Sequence, residues 1–110
     1  FGNHTRDFTY IEDVVEILLK ILKLKKINCF KNGIYNICSS KPIKLNSFLK
    51  FIENIYGKKC KIKKIAKQEI EILKTHGSNT KIKNLTKKRK FTNFKVGLDR
   101  TVSWFKNYSF

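Results

Sequence analysis

The chain has no methionine, one proline and only 8 acidic residues against 25 Lys and Arg. Without a methionine it includes no translation start, so we expect a piece of a longer protein. Its three cysteines, Cys29, Cys38 and Cys60, form no CxxC and join no histidine cluster, which argues against a zinc site. Partly buried, reduced thiols and a cytoplasmic setting are the plainer expectation. No apolar run is long enough to span a bilayer: Ile11 to Leu24 is interrupted by Glu12, Asp13, Glu16, Lys20 and Lys23. The opening FGNHTRD lacks the basic-then-apolar pattern of a signal peptide.

What is present is a 110-residue chain, enough for one domain over residues 1–110, with 41% apolar residues to form a core. Net charge is +17, the electrostatic footprint of polyanion binding. The bases are nearly all lysine, interleaved with Ile and Asn as in KIKKIAK; only Arg6, Arg89 and Arg100 are arginine. Base-edge recognition tends to favour arginine. The mixed pattern therefore reads as compositional bias, with no nucleic-acid binding expected beyond non-specific attraction.

Hydrophobic periodicity suggests an α+β domain of three short strands and about four helices. DFTYI (7–11) is β-favouring. Residues 13–24 predict a helix whose broad apolar face implies enclosure by neighbours. GIYNIC (33–38) reads as a second strand and SSKP as a polar turn. Residues 45–56 carry apolar positions at i, i+3, i+4 and i+7, with Gly57 as the stop. KCKIKKIA (59–66) alternates like a half-wet strand. Residues 67–78 are either a short helix or an irregular loop. Ser78 is a candidate cap for a helix holding Ile82 and Leu85, and Thr92 or Asn93 for a last helix. KKRK (87–90) reads as a solvated charge run.

RDFTYIEDVV (6–15) poses the functional question. Arg6 admits three readings: a surface cation, an ion-pair partner of Asp7 or Asp13, or a ligand-gripping residue. The pattern resembles the NAD-dependent epimerase/dehydratase family of nucleotide sugars, the extended short-chain dehydrogenases, nearest the UDP-glucuronate 4-epimerases and capsular-polysaccharide epimerases. YNICSSKPIKLNSFLKFIENIYGKK is similar to that family's next strand, turn and helix, and GLDRTVSWFKNY to its last helix.

The resemblance covers essentially the whole chain and implies a small C-terminal substrate-binding domain. The family's NAD-binding Rossmann domain is expected to be absent. None of the five glycines falls in a G-x-G-x-x-G spacing. Four residues beyond Tyr10, Tyr35 and Tyr56 stand Val14, Ser39 and Cys60, and nothing follows Tyr108 at that distance. Tyr-x-x-x-Lys is thus missing, and no catalytic residue is assigned.

By resemblance, Arg6 would bind the substrate diphosphate, for which a guanidinium fork is suited. Gln68 and Glu71 would line the pocket, although the Pro and Gly between the matching family positions are here Glu69 and Ile70. Asp7, Asp13, Tyr35 and Asn36 would be structural, with Asp13 favouring a helix start and orienting the Arg6 loop. Other departures are Cys38 for a glycine, Lys44 for a Ser/Thr cap, and KKRK for a Gly-aromatic-Lys-Pro turn. NAD and a UDP-sugar would bind the parent enzyme, the Rossmann portion lying in cis or in trans. This chain alone is expected to bind no NAD, no metal and no membrane. The alternatives are a basic module for nucleic acid or another polyanion, and a non-catalytic remnant of a dehydratase or epimerase.

Overall fold

A computed structural model describes residues 2–24, 33–63 and 72–108. Among them the order is β1 (Thr5–Arg6), α1 (Ile11–Leu22), β2 (Ile43–Lys44), α2 (Leu45–Tyr56), α3 (Thr80–Thr86) and α4 (Phe94–Asn107). The expected α+β class and helix number match this arrangement, but the strands lie elsewhere. β1 and β2 pair antiparallel, with Thr5 opposite Lys44 and Arg6 opposite Ile43. On its other side Thr5 bridges Lys74 in parallel. Its N–H donates to the Leu73 carbonyl (3.0 Å), and its carbonyl accepts from the Thr75 N–H (3.1 Å).

The strand predicted at 7–11 does not form. Asp7 is tied to loop groups by its amide and carboxylate, and Ile11 already opens α1. Residues 33–38 join no sheet; the Cys38 carbonyl accepts instead from the Asn79 side chain. Residues 59–63 are likewise outside any strand, and the remainder of that predicted strand lies outside the described residues.

The helix ends follow local chemistry. Gly57 closes α2 in the left-handed conformation (φ 66°) that glycine adopts without steric cost. Asn93 caps α4, its side chain accepting from the Lys95 N–H. Neither Tyr10 before α1 nor Lys44 before α2 makes a side-chain cap. Ser78 does not cap α3. Asn79 holds that position, but its side chain is turned to the Cys38 and Ser39 carbonyls.

α1 packs on α3 and α2 on α4. Ile17 and Ile82 are fully buried, and Val102 nearly so. Burying each isoleucine contributes about 1.5–3 kcal/mol. Phe8, Phe48 and Phe94 form an aromatic cluster, Phe8 and Phe48 stacked at 5.0 Å and Phe94 tilted against both. Gly97 lets α4 approach the α1 entrance, because a Cβ there would lie 3.1 Å from the Tyr10 side chain. α1 is not enclosed as its apolar breadth suggested. Ile17 is buried, yet Ile11, Val15, Leu18, Leu19 and Leu22 are exposed, Leu22 by 80%.

Candidate functional site

Arg6 sits in the short strand that pairs with β2, which fixes its backbone direction. Its guanidinium Nη1 donates to the neighbouring Thr5 carbonyl at 3.0 Å. Among the described residues neither Asp7 nor Asp13 forms an ion pair with it. The acids therefore do not orient the fork directly, contrary to the ion-pair reading.

Asp7 is instead a junction. Its carboxylate accepts from the Ser39 hydroxyl (2.6 Å), the Ser40 N–H (3.1 Å) and the Gly77 N–H (3.2 Å). Its own N–H donates to the Thr75 hydroxyl at 3.1 Å. Thr9 adds a further tie by accepting from the Ser39 N–H. Two segments remote in sequence are thereby pinned beside Arg6. Ser40 adopts φ 59°, a left-handed conformation that costs a non-glycine residue energy and persists here under these bonds.

Cys38 lies within the same junction. A Cβ on Gly77 would come 2.7 Å from its Sγ, so the sulfur occupies the room that glycine leaves. Burial, aided by the Asp7 charge, raises the Cys38 thiol pKa. The thiol stays protonated at neutral pH and is a poor nucleophile.

Asp13 is buried in the first turn of α1, where the helix dipole favours its charge. It accepts from the Thr92 N–H (2.8 Å) and hydroxyl (3.1 Å) and pairs with Lys88 at 2.9 Å. Lys88 also contacts Glu16, which meets Lys20 as well. KKRK is thus not wholly a solvated run, since Lys88 is only 6% exposed. Burial works to lower the Lys88 pKa, but Glu16 and Asp13 outweigh it, and the net direction is upward.

The remaining predicted residues divide. Tyr35 is half-buried and Asn36 exposed; Gln68 and Glu71 lie outside the described residues. Ser39, Thr75, Gly77 and Lys88 were not singled out from the sequence. The SSKP turn signal was legible, but nothing local links it to Asp7. No cluster of three or more His, Cys, Asp or Glu able to hold a metal occurs among the described residues. No described helix is long and apolar enough to cross a membrane.

No protein-family model matches the chain. An uncharacterized protein of Methanocaldococcus jannaschii is 36% identical over 105 residues, which span 96% of this chain and 31% of that protein. A UDP-glucuronate 4-epimerase of Thermodesulfobacterium geofontis is 30% identical over 105 residues, again 96% of this chain and 31% of the relative. The crystal structure of UDP-glucuronic acid 4-epimerase from Bacillus cereus, in complex with UDP-glucuronic acid and NAD, superposes with a TM-score of 0.79. Its identity is 25%, over 96% of this chain and 33% of that one. The chain spans about a third of the length of the relatives it matches. Its relatives and structural neighbours are UDP-glucuronate 4-epimerases and related NAD-dependent epimerases and dehydratases, and the match is to a C-terminal part of them.

Proposed function

We propose, from this likeness to a C-terminal part of NAD-dependent epimerases, that the chain is the substrate-binding segment of a nucleotide-sugar epimerase of UDP-glucuronate 4-epimerase type. Arg6 grips the substrate diphosphate, and the segment is not catalytic alone. The observation that carries this reading is Arg6 itself: a guanidinium on a strand fixed from both sides, with no carboxylate partner among the described residues. Such a fork meets two phosphate oxygens at once, which positions the sugar for chemistry elsewhere.

The residues present do not fit NAD. The described sheet is antiparallel and two-stranded, so it offers no crevice at the carboxyl ends of parallel strands, and the Gly-rich turn is missing. The dinucleotide belongs to a Rossmann portion, in the same polypeptide or in a separate one. The exposed apolar side of α1, from Ile11 to Leu22, supports that reading, because a face of this kind marks a surface made to meet another.

The test is titration of the 110-residue chain and of a parent carrying the Rossmann portion with NAD and UDP-glucuronate. The parent binds both and epimerises; the chain alone does not epimerise. Turnover by the chain alone would overturn the reading. In the parent, Arg6→Ala raises KM for the UDP-sugar by about tenfold or more, the worth of a charge-assisted phosphate contact. An unchanged KM would remove Arg6 from the diphosphate.

A further inference from the structure

A cleft of about 310 Å³ opens where the segment between α3 and α4 passes the 39–43 turn. Lys41, Lys83, Arg89 and Lys90 line it, with Phe91 and Phe94 on its wall, and no acidic residue is among its lining. Five of the described carboxylates are engaged elsewhere, and the sixth, Asp99, is not among the cleft's lining. Glu12 pairs with Arg100, Asp13 and Glu16 with Lys88, and Glu53 with Lys59. Asp7 is held by Ser39, Ser40 and Gly77. Among the described residues none of the four cleft cations has an ion-pair partner.

Four cationic residues bordering one concavity repel one another, and a cleft with low-dielectric walls focuses their field on whatever enters it. An anion placed there relieves that repulsion. A single carboxylate would leave most of the charge unanswered, whereas a di- or triphosphate presents several negative oxygens within a few ångströms. The volume falls at the small end of ligand cavities, which run from about 300 Å³ upward. Arg89 can meet two phosphate oxygens together, and the lysines act as point charges around them. Two of the four cations, Arg89 and Lys90, come from KKRK, where the related epimerases carry a Gly-aromatic-Lys-Pro turn by resemblance. The cleft is therefore a property of this chain's own departure from that pattern.

We propose that this cleft is an anion site for a small ligand bearing a di- or triphosphate, separate from the Arg6 grip. Arg6 is not among its lining residues, so the site stands whether or not Arg6 holds a sugar nucleotide. The phosphate has two possible sources, a free inorganic polyphosphate or the tail of a nucleotide. In the second case Phe91, which lines the cleft, is the ring against which a base can stack.

The experiment is calorimetric titration of the full chain, at low salt, with inorganic tripolyphosphate and separately with adenosine triphosphate. The site predicts one ligand per chain. The variant R89A/K90A binds at least about tenfold more weakly, as loss of two charge-assisted contacts requires. K58A/K61A removes the same charge from exposed positions outside the cleft and stays within about twofold, as screened remote charges allow. R89K/K90R keeps the charge and retains binding. Tighter binding of adenosine triphosphate assigns the phosphate to a nucleotide, and equal binding assigns it to free polyphosphate. Absence of binding by both ligands overturns the site. So does an equal loss in K58A/K61A, which would mean attraction spread over the whole +17 chain.

Discussion

Lys88 takes a full charge to 6% exposure beside an equally buried Asp13. Removing one member of a buried pair strands the other, which costs about 3–5 kcal/mol. Lys88→Met is therefore expected to lower the unfolding free energy measured in urea by an amount in that range. Lys59→Ala, whose pair with Glu53 involves a 90% exposed lysine, should move stability by no more than about 1 kcal/mol. An equally small loss in both variants would mean that Asp13 is satisfied by Thr92 alone. The same group sets a pH dependence. Hydrogen bonds from Lys20 and Lys88 lower the Glu16 pKa. Its contribution is present above the ordinary glutamate value of about 4.3 and is lost as pH falls through the lowered folded value. The raised Lys88 pKa works at the opposite end. Its contribution is present below about 10.4 and is lost as pH rises through the folded value. Glu16→Gln should flatten part of the acid limb of a stability profile and also part of the alkaline limb, because Glu16 helps to raise the Lys88 pKa. An unchanged acid limb would show that Glu16 is not a source of it.

At the scale of elements, the helix ends decide more than the strands. Asn93→Ala removes the α4 cap and should cost about 1 kcal/mol by thermal or urea unfolding. Lys87 closes α3 in the left-handed conformation at φ 55°. Glycine there relieves a steric penalty of about 1–2 kcal/mol, offset by the entropy a freer unfolded chain regains. Lys87→Gly is expected to raise the midpoint slightly, and a fall would locate the strain elsewhere. These ends also show what the sequence disclosed. The α2 periodicity, Gly57 and Asn93 were readable because their causes are local. β1 and β2 were not, because two-residue strands carry no alternation and their partners are remote. Arg6 stood out by its motif, while the Asp7 junction did not, since Ser40 and Gly77 reach it only after the chain folds back. Lys88 was misread for a related reason: inside KKRK, nothing local separates a buried lysine from a solvated one.

Across the whole molecule, apolar surface is left open on α1 and also on α4, where Trp104 and Phe105 are half exposed. The 110-residue chain should self-associate at high concentration, which sedimentation can measure. L18K/L22K should shift it toward monomer with little loss of thermal stability, because both side chains already face solvent. A variant that stays associated would place the contact on α4. The long ties have a consequence of another kind. Asp7 bonds Gly77, and Asp13 bonds Lys88 and Thr92, so early residues are completed by late ones. Contacts of such sequence separation form slowly, since a long loop must close before any of them is rewarded. On the ribosome, α1 would emerge with its buried aspartate unanswered and wait until Thr92 had been added. Release short of that residue would leave a helix whose own first turn argues against its burial.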